Sequence, residues 1–243
     1  KIVRDELLPQ NEGYTTMAYD EANHRTEENN TYCTSPFRGC GVYAAVSGTF
    51  QTPNGNYSGT VTEDSSIKEY LNNTYYPTLD EKAKIQMQNH AFNIGSVQVL
   101  NVSGNDSIEK NIAGEKMYKW TGNVGLINVS DLLKASTNTA CKSATDQHNK
   151  LMQDTPEITC DSNYLLDTLP DGAGYWTINA FSAESDNYSH DVWHAAFTQG
   201  IGVFGSSYAH NVYNNGARPV LYLKSTIQIT GGNGTKSNPY TLQ

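Results

Sequence analysis

From Tyr175 to its end the chain consists of short β-prone runs separated by Gly, Asn and Ser, which restricts its last third to strands and loops. Tyr175-Trp176-Thr177, Val192-Trp193 and Val220-Leu221-Tyr222-Leu223 are the strongest runs, with Ile227–Ile229 another. β-Branched and aromatic side chains pack well on a pleated surface, whereas Gly and Asn tolerate the backbone of tight connections. Residues 1–8 alternate enough, through Ile2, Val3, Leu7 and Leu8, to predict a further strand. Residues 10–62 are polar and rich in Gly and Tyr. They read as loops and short strands with a hairpin turn at Asn54-Gly55.

The middle of the chain has a different period. Asp64, Ser65 and Ser66 can cap a helix whose apolar face is Ile67, Tyr70 and Leu71, ended by Pro77. Thr78-Leu79-Asp80-Glu81 has the form of a capping box opening a second helix, with Leu79, Ile85 and Met87 turned inward. Residues 94–102 predict a strand through Ile94, Val97, Val99 and Val102. Val124–Ile127 predicts a short buried strand, and Ser130 is expected to cap a helix through Leu132, Leu133 and Ala135. Together these elements define an α+β class, with helices packed on a small mixed or antiparallel sheet and long loops. No tandem repeat or linker divides residues 1–243, so one domain is expected. Its parts are a loop-rich stretch 1–62, a helical stretch 64–136 and a C-terminal sheet 175–243.

Composition narrows the function classes. Only 17% of the 243 residues are charged, and polarity comes from Asn, Ser, Thr, Gly and 16 Tyr, a mix suited to hydrogen-bonded loops and adaptable surfaces. The net charge is −9 and Lys and Arg form no cluster, which argues against nucleic acid and anionic membranes as partners. The four cysteines pair by proximity as Cys33–Cys40 and Cys141–Cys160, with the other two pairings left open. None belongs to a CxxC pair, so zinc is disfavoured. Persistent bridges imply an oxidising, extracellular compartment. The chain reads as an excised ectodomain, with a membrane anchor or pilus stalk expected upstream. Asn-x-Ser/Thr sequons, among them Asn56, Asn128 and Asn233, are formal glycan acceptors.

Four stretches carry a resemblance: Trp120-Thr-Gly-Asn-Val-Gly-Leu-Ile-Asn-Val-Ser-Asp131, Tyr175-Trp176-Thr177, Gly216-Ala-Arg-Pro-Val-Leu-Tyr-Leu-Lys224 and Ile229-Thr-Gly-Gly-Asn-Gly-Thr-Lys-Ser-Asn-Pro-Tyr-Thr241. With Tyr70-Leu-Asn-Asn-Thr-Tyr-Tyr76 and Ile112-Ala-Gly-Glu-Lys116, they resemble a family of bacterial surface proteins of gut Firmicutes, often found behind prepilin-like N-termini. The ending also resembles the C-type-lectin folds of variable proteins diversified by retroelements. That resemblance implies a C-type-lectin-like domain and a ligand-binding face within 177–215. Fold alone does not carry a function to this chain.

Residues 194–215 fit such diversification. Substituting only the adenines of an Asn codon reaches every residue type in that stretch except Gln199. A Gly/Ser/Asn-rich hairpin region would also lack Lys, Glu and Met, so the pattern has an ordinary reading too. The expected face comprises Asn179, Phe181, Tyr188, His190, His194, Ala196, Thr198, Ile201, Val203, Phe204, Ser206, Tyr208, His210, Val212 and Tyr213. Its aromatics alternate with small polar residues, as in antibody loops, and about half of the rings are expected to be core.

Catalytic and metal chemistry find little support. His190 and His194 are four apart, a metal-site spacing on a helix, but this segment reads as strand and loop. Asp186 and Asp191 lack the Glu-Pro-Asn and Trp-Asn-Asp signatures of calcium-dependent sugar binding. No Gly-x-Ser-x-Gly elbow exists. Glu115, Asp131 and Asp167 have no spacing that pairs them, and read as caps or solvated charges. Trp120, Trp176 and Trp193 read as core, and Arg218 as an anchor fixing the variable loops to the sheet. The chain is therefore expected to be a non-enzyme without cofactor or metal, binding a protein or glycan on another cell or surface. The alternatives are a structural pilin or cell-envelope module and, less favoured, a relative of formylglycine-generating enzymes.

Overall fold

The computed structural model describes residues 1–4, 7–8, 16–21, 41–53, 58–98, 112–135, 165, 172–182, 191–198, 201–209, 215–233, 237–238 and 240–243. All four cysteines, and with them both expected bridges, lie outside these residues, as does the Asn54-Gly55 turn. The strands among residues 1–135 are β1 (Ile2–Val3), β2 (Thr49–Gln51), β3 (Ser58–Thr60), β4 (Met87–Gln88), β5 (His90–Asn93), β6 (Val97–Gln98), β7 (Lys119–Gly122) and β8 (Val124–Gly125). Later in the chain come β9 (Gly174–Ser182), β10 (Asp191–Thr198), β11 (Ile201–Tyr208), β12 (Asn215–Gly216), β13 (Val220–Leu223), β14 (Ile229–Gly231) and β15 (Thr241–Leu242). The helices are α1 (Ser66–Glu69), continued by a π-helical stretch Tyr70–Tyr75 into α2 (Tyr76–Thr78), then α3 (Glu81–Gln86) and α4 (Val129–Lys134). A 3₁₀ turn covers Gly114–Met117. The chain is thus mixed α+β, with short helices beside several small sheets.

Local chemistry explains the helix boundaries. Ser65 is the N-cap of α1, its hydroxyl accepting from the Lys68 amide. Within the π-helical stretch the Asn72 side chain donates to the Lys68 carbonyl and exchanges hydrogen bonds with both the amide and the carbonyl of Val124, so it extends β8 sideways. Pro77 sits inside α2, which ends one residue later. Asp80, rather than Thr78, caps α3, accepting from the Lys82 amide at 2.7 Å, while Thr78 donates its hydroxyl back to Tyr75. Ile85 corrects the expected inward face of α3, because it is 67% exposed. The helix is a single six-residue segment that passes straight into β4, so Met87 reaches the core from a strand instead. The strand expected over 94–102 is described only at Val97–Gln98, and His90–Asn93, just before it, forms β5 against β7.

Two sheets organise the C-terminal third. In one, β13 pairs antiparallel with β1, β8 and β4, so the start of the chain lies against its last third through Ile2↔Leu221 and Val3↔Val220. In the other the order is β11-β10-β9-β12, with β6 also parallel to β9. Smaller hairpins join β2 to β3 and β14 to β15. One core cluster draws on Leu8, Tyr19, Tyr43, Leu71, Phe92, Ile127, Trp176, Ile178 and Val220. Its buried phenols are bonded to backbone, Tyr19 to the Ile178 carbonyl at 3.1 Å and Tyr43 to the Val124 carbonyl at 3.0 Å. Val220 is buried as expected, whereas Leu221 is only partly so.

Candidate ligand-binding face

The segment expected to bind ligand is built on β9, β10 and β11. β10 and β11 form a hairpin paired along their whole length, from Asp191↔Tyr208 to Thr198↔Ile201. Strand β11 is the terminal strand of the described sheet. The other side of β10 meets β9, which is buried at every position. The register there shifts between Val192↔Ala180 and His194↔Trp176, so residues 177–179 lie opposite Trp193 alone.

That irregularity turns part of β9 toward other partners. The Ile178 amide donates to the Ile127 carbonyl at 2.9 Å, and the Thr177 hydroxyl to the Trp193 carbonyl at 2.9 Å. The Asn179 amide group donates to the Gly95 carbonyl at 2.8 Å, and its oxygen accepts from the Val129 amide at 3.0 Å and from Asn128 at 3.2 Å. Asn179 is fully buried, so it leaves the ligand face and belongs to the scaffold. Phe181 leaves it too, being buried with its ring 5.0 Å from that of Trp193.

Two indoles fix this sheet, one on the hairpin and one on β9. Trp193 donates to the Val97 carbonyl at 2.9 Å and Trp176 to the Met17 carbonyl at 2.7 Å, and both are buried as expected. Trp120 is only partly buried, lying against Phe92 and Tyr43 with the Lys68 ammonium over its ring. Arg218 is an anchor, as expected: its guanidinium lies over Tyr175 and donates to the carbonyls of Arg4 and Leu165, so among the described residues it ties the N-terminal segment and Leu165 to β9.

His194 is the candidate whose side chain is best defined. It is half-buried, edge-on to Trp176 at 6.2 Å and opposite Gly205 on β11. Its Nδ1 is buried without a hydrogen-bond partner, and burial pushes the imidazole down to about 4, so the ring is neutral near pH 7. Ala196, Thr198, Ile201, Val203, Phe204, Ser206 and Tyr208 are placed by strand register, with Ala196↔Val203, Ala195↔Phe204 and Trp193↔Ser206 among the pairs. Tyr188, His190, His210, Val212 and Tyr213 lie outside the described residues, as do Asp167 and Asp186.

Asn179 of β9 also belongs to a polar shell formed with Glu115 and the start of α4. The amide of Ser130, in the first turn of α4, donates to Glu115 at 2.9 Å and its hydroxyl donates at 2.7 Å, so Ser130 is not the cap it was expected to be. Asn128 starts the helix: its carbonyl accepts from the Leu132 amide, and its own amide donates to Asp131. Asn179 and Glu115 thus take the first two amides of α4, which no intrahelical bond can satisfy. Burial raises the Glu115 carboxyl to about 7, with the hydrogen bonds from Ser130 opposing the rise. Of the two expected roles, cap or solvated charge, it takes the first, and does so buried. Asn128-x-x-Asp131, an N-cap residue followed by an acid at the third helical position, was the available signal. Asn128 is buried with its amide donating to Asn93 and Asn179, so that sequon offers no accessible acceptor.

Among the described residues no group of three or more His, Cys, Asp or Glu could hold a metal ion, and no helix is long and apolar enough to cross a membrane. Comparison with family models, curated proteins and solved structures finds no match.

Proposed function

We propose that the chain is an extracellular ligand-binding domain of the C-type-lectin-like kind, a receptor or adhesin displayed at a bacterial cell surface, with the β10–β11 hairpin as its binding face. The observation that carries the reading is the arrangement of that hairpin. It is fully paired, terminal in its sheet, and fixed from within by Trp193, Thr177 and Val97. A segment held this way keeps its backbone when residues not used in the hold are exchanged, which is what a variable recognition surface requires. The short helices beside small sheets suit such a domain, and the codon-restricted residue set of 194–215 suits retroelement diversification. The ligand is a protein or glycan on another cell or surface, and an anchor or pilus stalk upstream would display the domain.

The test is binding to glycan and protein arrays, comparing the wild type with a variant carrying Thr198, Ile201, Val203, Ser206 and Tyr208 all exchanged for other small polar or aromatic residues. The expected result is an array ligand bound by the wild type and lost in the variant, with the thermal transition nearly unchanged. Unaltered binding in the variant, or its failure to fold, would instead favour a structural cell-envelope module.

A further inference from the structure

A carboxylate buried without a cation is costly, because the ionised form gives up hydration that neutral donors only partly replace. Glu115 is 2% exposed, and the hydrogen bonds its carboxylate accepts come from the neutral amide and hydroxyl of Ser130. No ion pair to it exists among the described residues. The charged groups that face it are Asp131 on α4, which disfavours its ionisation, and Lys1 from the start of the chain, which favours it. These two are bonded to each other, so their effects largely cancel. From the 93–96 side come Asn93, Gly95 and Ser96, none of which titrates.

The shell around this carboxyl is mechanically tied to the hairpin. The Gly95 amide donates to the Glu115 carbonyl at 3.0 Å. The contact is so close that a Cβ on Gly95 would stand 2.0 Å from the Gly114 oxygen. Asn179 grips both walls, Gly95 on one side and Val129 on the other. Two residues beyond Gly95, the Val97 carbonyl holds the Trp193 indole. We propose that Glu115 is a proton-controlled latch on the β10–β11 hairpin, closed when its carboxyl is protonated and opened when ionisation draws water into the shell. As a regulator of ligand binding the latch rests on the reading of that hairpin as the binding face.

Hydrogen exchange of the intact chain, corrected for intrinsic rates, tests the latch without any ligand. With the carboxyl near 7 in the closed shell and near 4.5 when hydrated, opening at the Val129 and Ser130 amides and the Trp193 indole increases about tenfold from pH 6 to pH 8. Glu115→Gln, whose amide can donate to the Ser130 hydroxyl, makes opening independent of pH at all three groups. Ser130→Ala removes a donor to the ionised form and moves the midpoint to higher pH, a result that stands even where Glu115→Gln does not fold. Opening that is flat with pH in the wild type, a rise at Ser130 without one at the Trp193 indole, or an unmoved midpoint in Ser130→Ala would overturn the proposal. An array experiment without a ligand would count against the binding reading alone and leave the exchange result standing.

Discussion

Glu115, buried, and His194, half-buried with its Nδ1 enclosed, give the protein opposing responses to pH. The Glu115 carboxyl is raised from 4.5 to about 7 in the folded state, so the stability it confers is complete below about 4.5 and is lost as pH rises through 7. His194 is lowered from 6.5 to about 4, so its contribution is complete above 6.5 and is lost as pH falls through 4. Between about 4.5 and 6.5 the two slopes oppose, each at most about 1.4 kcal/mol per pH unit. Denaturant titrations across this window should show Glu115→Gln becoming more stable as pH rises and His194→Phe less so. Slopes of the same sign in both variants would show that one of the two is not titrating as its burial dictates. Asn179 belongs to the same scale. Asn179→Ala strands the Val129 amide and the Gly95 carbonyl in the interior and should cost roughly 2–4 kcal/mol in urea unfolding. A loss under about 0.5 kcal/mol would place that side chain at the surface, where substitutions are nearly silent.

At the scale of elements, the hairpin and the close approach at Gly95 decide what can vary. Trp193 is buried and bonded to Val97, so Trp193→Ala should cost about 3–5 kcal/mol through the cavity and the unpaired carbonyl. Gly95→Ala should be damaging although it adds one methyl group, because the obstruction is the Gly114 and Glu115 backbone, not a side chain that can swing aside. Its melting temperature should fall by at least about 2 °C, as expected for a loss of roughly 1–2 kcal/mol or more in a chain of this size. An unchanged melting temperature would mean that the 114–117 turn moves freely relative to 95–97. Ile85 shows the converse. It was expected to turn inward with Leu79 and Met87, but α3 is too short to impose one face on the core.

Over the whole molecule, β1 and Arg218 bind the two ends of the described chain together. Strand β1 pairs with β13, and Arg218, two residues before that strand, holds the carbonyl of Arg4. Arg218→Ala should lower a single unfolding transition by about 2–4 kcal/mol, since it removes a buried side chain together with its hydrogen bonds to Arg4 and Leu165. Calorimetry that resolves two transitions, only one of them shifted, would divide the chain into separate units. The bridges Cys33–Cys40 and Cys141–Cys160 remain an expectation from spacing, each contributing about 2–4 kcal/mol. Peptide mapping under non-reducing conditions checks them, and a cross-pairing would discard them.

Local information was enough for the α+β class, the capped start at Ser65, the strands at 175–177, 192–193 and 220–223, and the burial of Trp176 and Trp193. Those features follow from side-chain type and period over a few residues, which a sequence displays directly. Tertiary structure alone decided that Asn179 is scaffold, that Glu115 is buried against Ser130 and that Arg218 reaches the Arg4 carbonyl. Each of these depends on a polar partner between 15 and 214 positions away along the chain. A polar residue in a β-prone run looks like surface until the chain closes around it and supplies the hydrogen bonds that make its burial favourable.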